Sequence, residues 1–485
     1  MTIDMLPDDI LLEIFDHHRF AAQEYALFGP WEWHRLAHVC QGWRSVIFAS
    51  PRRLNLRLVY TYKKPVRKDV ECWPSLPISI WYPRLVLYHP LSPADEANVI
   101  SALEFPDRIC EINLTLTRPL LEKLTPLMQE PFPALKFLQL GSRDLMESLV
   151  LPSGFLGGFT PQLRHIDLDG TPFPTLPLLL SSAADLDSLR LHDIPNTGYF
   201  SPEALVAGLN AKSNLKDLEI HFLHSAFDLG QESPRSRPSS PTHVPLPALT
   251  EFLFKGDNAY LENLVARIDA PNIERFGITL FDELTFELPQ LALFIDRTEK
   301  LRSSPYRTSI WFWDQRFSIT HYSGPPSSSG PTFRLEISCH ELARQVILLG
   351  RICKQLSLLV SRVERLDIEM HHAISDAWDE ATDSDSDSDS NSDSSAAQQW
   401  LELLAPFRRV RSLELVGIPV PSIASALEKS ATENGCREVL PSLQSLQLRG
   451  SPTMSPRIGS FVAARQRSGH VVSVQYVGEV GEESV

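Results

Sequence analysis

His340-Glu341-Leu342-Ala343-Arg344 is the nearest this chain comes to the HExxH spacing of a zinc hydrolase, and it stops one ligand short. That motif needs a second histidine one helical turn after the first, so that two imidazoles on one face share an ion beside a glutamate base. Arg344 stands there instead, and the segment reads as an exposed helix start. Two adjacent pairs, His17-His18 and His371-His372, fail differently. Neighbouring side chains point to opposite faces of a strand and diverge by about 100° on a helix, so neither pair chelates as a unit. The alternating run from Asp383 to Ser390 is rich in carboxylates but lacks the turn glycine and terminal glutamate of a calcium loop. It reads as a solvated linker whose serines, each followed by acids, could also take an acid-directed kinase. No GxxxxGK[ST], GxGxxG or GxSxG spacing occurs. These residues supply no catalytic group, no metal ligand and no cofactor site, and the expectation is a protein that is not an enzyme.

With no local constellation able to do chemistry, function must lie in the elements themselves. One pattern recurs along most of the chain: apolar-x-x-apolar-x-apolar. Its copies begin at Ile109, Leu135, Leu163, Leu186, Leu215, Leu249, Ile273, Val363, Val410 and Leu443, and the first seven starts are 26, 28, 23, 29, 34 and 24 residues apart. Each copy predicts a short strand whose last two apolar residues share the inward face, with segments such as Pro202 to Leu209 or Ala259 to Ile268 returning as helices. The period is similar to that of leucine-rich repeats, about 20–29 residues, and implies an α/β solenoid. The position three beyond the last apolar residue, Asn or Cys in such repeats, is here Arg143, Thr171, Ile194, Leu223, Asp257, Phe281, His371 or Ile418, so the repeats should be irregular. Between Ile278 and Val363, three stretches read as further strands from their aromatic and β-branched content: Thr308 to Trp313, Phe317 to Tyr322 and Phe333 to Ser338. A two-layer α/β domain with accidental repeats is the alternative. Ser-, Pro- and Asp-rich stretches near 231–245, 323–331 and 375–397 are expected to be exposed, disordered insertions.

The N-terminus has another character. Leu6-Pro7-Asp8-Asp9 is a helix start, with proline in the first turn and two acids facing the helix dipole. Ile10, Leu11, Ile14 and Phe15 follow as one apolar stripe, and after a break at Gly29-Pro30 helical spacing resumes through Trp33, Leu36, Val39, Cys40, Trp43, Val46 and Ile47. Three short helices bury little surface alone, so the stripe calls for a partner or for the repeats themselves to cover it.

Leu6-Pro7-x-x-Ile10, with Val39-Cys40-x-x-Trp43-Arg44 and the trailing Ser50-Pro51-x-x-Leu54-x-Leu56, resembles the F-box, of the kind found in fungal F-box proteins. The connection from His17 to Trp31 is longer than the family's usual one. The resemblance covers about a tenth of the chain. It implies that this segment binds the Skp adaptor subunit of a cullin-RING ubiquitin ligase, and through it a cullin, while the remainder selects a protein substrate. By that resemblance the partner-binding residues are Leu6, Pro7, Ile10, Leu11, Ile14, Phe15, Leu36, Val39 and Trp43. The alternatives are a small helical cap on the repeats and a protein-binding scaffold that acts outside a ligase.

Composition narrows the partners. With 60 acidic against 45 basic residues the formal charge is -15, which lacks the broad basic surface that nucleic acid requires. Asp376, Asp379, Glu380, Asp383, Asp385, Asp387, Asp389 and Asp393 concentrate much of that charge in one insertion. The main basic cluster, Arg52 to Lys68, reads as a solvated hinge. Six scattered cysteines without a CxxC argue against a disulfide scaffold or zinc finger and for a reducing compartment. No basic leader or apolar run of about 18 residues is present, so a cytoplasmic or nuclear location without membrane contact is expected. The most apolar window, Val346 to Val360, is broken by Arg351 and Lys354 and reads as a buried amphipathic helix. The expected plan is a small N-terminal helical F-box at 1–60, a hinge at 61–85, repeats over 86–478 and a flexible tail at 479–485.

Overall fold

The computed structural model describes residues 6–23, 36–50, 58–60, 76–82, 91–142, 149–223, 243–281, 287–302, 306–324, 330–370, 390–417, 420–432, 439–449 and 456–477. The fold is mixed α/β with predominantly parallel strands, and the chain divides into two compact units, Met1–Leu223 and His224–Val485. That division falls inside the stretch 86–478 that the repeat pattern reads as continuous.

In the first unit seven strands follow one another in chain order: β1 (Leu58–Tyr60), β2 (Ile78–Tyr82), β3 (Ile109–Leu116), β4 (Phe137–Ser142), β5 (His165–Asp169), β6 (Ser188–Ile194) and β7 (Asp217–Phe222). All their pairings are parallel. The apolar pattern explains the register. Ile112, Leu138, Ile166, Leu189 and Leu218 lie opposite one another across β3 to β7, and so do Leu114, Leu140, Leu168, Leu191 and Ile220. Every one of these is buried. A one-residue slip would turn the whole row to the other face, so burial itself locks the pairing. Parallel neighbours need crossovers, and short helices at Pro93–Leu103, Arg118–Leu124, Leu176–Ser182 and Pro202–Leu209 supply them. Two begin alike: Ser92 and Ser201 accept a hydrogen bond from the backbone N–H three residues on, at 3.2 Å each, and Pro93 and Pro202 follow at the first helical position.

The second unit contains β8 (Val244–Pro245), β9 (Glu251–Gly256), β10 (Ile268–Asp269), β11 (Arg275–Leu280), β12 (Arg307–Trp313), β13 (Arg316–Tyr322), β14 (Phe333–Ser338), β15 (Arg365–Met370), β16 (Ser412–Val416), β17 (Ser445–Arg449) and β18 (Ser473–Val477). Its main sheet runs β9-β11-β14-β13-β12-β15-β16-β17-β18. The three strands read from aromatic content are therefore present, but they are not plain repeats. β12, β13 and β14 form an antiparallel meander, with β14 parallel to β11 and β12 parallel to β15. The copies that begin at Leu249, Ile273, Val363, Val410 and Leu443 bury all three of their apolar residues. The window Val346 to Val360 is helical apart from a break at Leu356, between helices Leu342–Gln355 and Ser357–Val360.

Four boundaries move. The hinge expected at 61–85 contains β2, which pairs with β3 and buries Ile78, Ile80 and Tyr82, because its alternating apolar residues extend the inward row. Val244 is buried in β8, paired with Ile268 in β10, so the insertion expected at 231–245 ends earlier. The same pairing takes Ile268 out of the expected helix, which spans Asn258–Val265. The insertion expected to reach Ala397 overlaps a helix, Ser390–Leu404, that buries Ala397, Trp400, Leu403 and Leu404 and sets Trp400 edge-on against Phe312 at 5.8 Å. Apolar residues at helical spacing directly after the acidic run pulled its last turns into the fold. His371-His372, the Asp-Ser positions up to Asp389, the basic cluster Arg52 to Arg57 and Lys63 to Lys68, and the 479–485 tail lie outside the described residues.

His321 on β13 turns inward with Phe317 and Ile319. Its Nδ1 lies 2.6 Å from Thr308 Oγ1, its ring stacks on Phe333, and its buried Nε2 has no partner. Burial pushes its pKa from 6.5 down to about 3. The folded state thus holds the imidazole neutral, and the associated stability is present above about pH 6.5 and lost as pH falls towards 3. Stability at pH 5 should be about 2 kcal/mol below that at pH 7 from this residue. His165, stacked on Phe137 and lowered to about 4 by burial and then by Arg190, acts in the same direction. Denaturant titrations of wild type and His321→Gln at both pH values test this; a variant with the full wild-type pH dependence would exclude the assignment.

Candidate functional site

Two surfaces gather the residues that could act. The first is the N-terminal helical segment. Helix Asp8–Gln23 starts on Pro7, whose carbonyl accepts from the N–H groups of Ile10 and Leu11 at 3.1 and 3.0 Å. Helix Gln41–Ala49 is capped by Cys40, whose Sγ accepts from Trp43 N–H at 3.4 Å, and Arg44 Nε donates to the Ala37 carbonyl at 2.9 Å. Phe15 and Trp43 meet between the helices, ring centroids 4.8 Å apart.

That contact divides the expected partner-binding set. Leu11, Phe15 and Trp43 are buried, together with Leu12, Val46 and Ile47, and in this arrangement they form the interior of the segment rather than a face open to a partner. Ile10, Ile14 and Val39 are exposed at 40%, 39% and 59%; Pro7 is exposed, and Leu6 and Leu36 are half-buried. The physical reason is the helical step. Positions 10 and 14 form one row and 11 and 15 the next, about 100° away, so Trp43 can cover one row only. The residues around Trp33 lie outside the described ones.

The second surface is the polar face of the sheet in the first unit. Strand alternation puts the residues between and after the inward leucines on the outer face. Asn113, Gln139, Asp167, Arg190 and Glu219 therefore stand in one row, and Thr115, Gly141, Asp169 and His192 in the next, which His221 extends. Gln139 Nε2 donates to Asp167 Oδ2 at 3.0 Å. His192 Nε2 lies 3.6 Å and His221 Nε2 3.3 Å from the two oxygens of Glu219, and the two imidazoles meet edge-to-face at 5.2 Å. A cavity of about 250 Å³ opens over Gly141, lined by Thr115, Gln139, Asp167, Asp169, His192, Asp193 and His221. Its floor depends on the glycine, since a Cβ at Gly141 would sit 3.2 Å from the Thr115 side chain.

None of these residues stands out by local spacing, and the sequence reading missed them. The signal is present only across copies: His192 and His221 each follow the last apolar residue of consecutive repeats of the pattern, one position after Leu191 and Ile220. Once the copies stack in parallel, equal positions become neighbours. The near-miss at His340 behaves otherwise. His340 and Glu341 are exposed just before helix Leu342–Gln355, and Glu341 pairs with Arg344 at 3.0 Å. His17 is exposed.

In the second unit the outer face is dominated by paired charges. Asp367 contacts Arg307 and Arg365; Glu414 binds Arg365 at 2.7 Å and Arg449 at 2.9 Å; Glu336 binds Arg334 and Arg316. Trp311 and Trp313 stack at 5.7 Å, and the Arg316 guanidinium lies 5.0 Å above the Trp313 ring. Among the described residues no helix is long and apolar enough to cross a membrane. Compared with known proteins, the chain matches no family model and no curated relative.

Proposed function

We propose that this chain is a substrate-recognition adaptor of a Skp-cullin-F-box ubiquitin ligase, acting without catalysis of its own in the cytoplasm or nucleus. The observation that carries the reading is the exposed pair Ile10 and Ile14, with Val39, above an interior of Leu11, Phe15 and Trp43. Apolar side chains one turn apart on a helix whose other row is already satisfied suit docking to a partner's apolar groove. The F-box-like residues give that partner its identity as the Skp subunit. Behind them, the recurring apolar pattern supports an irregular leucine-rich-repeat-like solenoid, whose outer faces with paired charges and the Trp311–Trp313 stack would hold a protein substrate. A scaffold that uses the same repeats outside a ligase is the competing function, and co-purification of a cullin with the tagged chain separates the two.

The direct test is Ile10→Asp with Ile14→Asp. Both side chains are exposed, so circular dichroism and the thermal midpoint should stay unchanged while affinity for the Skp subunit falls at least about thirtyfold, roughly 2 kcal/mol of interface anchor energy. Undiminished binding by the folded variant would sink the proposal. Trp43→Ala is the uninformative choice, because that ring belongs to the interior of the segment.

A further inference from the structure

We propose that His192, Glu219 and His221 form a binding site for a divalent transition-metal ion of the zinc class. One nitrogen from each imidazole and one carboxylate oxygen all lie within 4.8 Å of one another. A tetrahedral zinc ion, about 2.0–2.1 Å from each ligand, holds its donors roughly 3.3–3.5 Å apart. His221 Nε2 lies 3.3 Å from one Glu219 oxygen and His192 Nε2 3.6 Å from the other, so with a single oxygen as donor a closure of about an ångström brings the set to that spacing.

The backbone makes the arrangement specific. Pairing of β6 with β7 passes from Leu191 opposite Ile220 to Ile194 opposite Phe222, so three steps on one strand match two on the other. His192 and Asp193 thus share the single partner position His221. Asp193 takes up the extra residue with φ +47°, in the left-handed region that non-glycine residues seldom occupy. A bulge of this kind re-aims side chains and recurs beside functional sites. Without it, Ile194 would leave the buried row.

Donor chemistry selects the ion. Calcium and magnesium favour all-oxygen shells, whereas two imidazoles with one carboxylate suit zinc, iron, nickel or copper. Arg190 lies outside the cluster, 4.0 Å from Glu219 and 3.8 Å from Asp217. Three protein ligands leave a fourth position for water, and the cavity edged by Gln139, Asp167 and Asp169 lies alongside. The site is independent of the ligase reading, since it involves no residue of the N-terminal helices.

The test uses the full chain without an affinity tag, stripped with a chelator and titrated with zinc against a chromogenic competitor. Wild type should bind one more zinc ion than His192→Ala/His221→Ala, which subtracts any ion held elsewhere. Cobalt(II) should give visible absorption in wild type that the double variant lacks. Singly, His192→Ala, Glu219→Gln and His221→Ala should each weaken zinc at least tenfold, the smallest loss seen when even an outer-shell partner is removed. Zinc should also raise the thermal midpoint of wild type and not of the double variant. His192→Asn/His221→Asn repeats the comparison should the alanine variant fail to fold. Equal zinc stoichiometry and affinity in wild type and a folded double variant would overturn the site, and so would binding of calcium in preference to zinc.

Discussion

Phe276→Ala should destabilise the second unit by about 3–5 kcal/mol, the range for removing a fully buried aromatic ring and leaving a cavity. Phe276 sits on β11 between β9 and β14, where it stacks on Phe252 at 5.2 Å and meets Phe294 and Phe333 edge-on at 5.5 and 5.9 Å. These neighbours come from two strands and a helix, and a sheet cannot close over the gap because each strand is held by its own backbone ladder. The expected result is a clearly lower urea midpoint with an unchanged slope. Phe276→Leu, which keeps most of the volume, should lose far less. If alanine cost under about 1 kcal/mol, the ring would not be buried as described.

Glu414→Ala comes next, with an expected loss of about 2–3 kcal/mol. Glu414 is 5% exposed and lies between Arg365 and Arg449. Removing one partner of a buried pair costs about 3–5 kcal/mol because the other charge is stranded. Here the guanidinium side chains are 37% and 52% exposed, so water recovers part of that, and Arg365 keeps Asp367 at 3.2 Å. Glu414→Gln keeps one acceptor oxygen for one of the two arginines and loses the charge, and should fall between alanine and wild type. By contrast the exposed helix pair Arg118–Glu122 should contribute no more than about 0.5 kcal/mol. Urea titrations of the variants at low and high salt check both statements: equal effects for Glu414→Ala and Glu122→Ala would contradict the burial argument.

Much of the fold is legible in residue types alone, because burial acts on local period. The apolar rows from Ile112 to Leu218 and from Leu114 to Ile220 require only that two residues out of each short strand be apolar and alternate. The helix Pro202–Leu209 announces itself through Ser201-Pro202, and the strands around Ile310, Ile319 and Leu335 through their β-branched and aromatic content. Period says nothing about direction. β12 and β13 run antiparallel across the two-residue turn at Asp314-Gln315, whereas the parallel pairings of β12 with β15 and of β14 with β11 join residues far apart in the chain.

The candidate sites follow the same division. By itself the sequence determined that the N-terminus carries an apolar helix, that an inward ladder recurs ten times, and that no short motif supplies a metal or phosphate site, since each of these depends on neighbours along the chain. Only the tertiary structure decided that Trp43 meets Phe15 and that Leu11 is buried with it while Ile10 and Ile14 stay outside, because a second helix can cover only one side of the first. It also brought His192 to Glu219 and His221. Their separation of 27 and 29 residues has no meaning until parallel strands stack equivalent positions side by side, and the extra residue at Asp193 places both imidazoles beside one carboxylate.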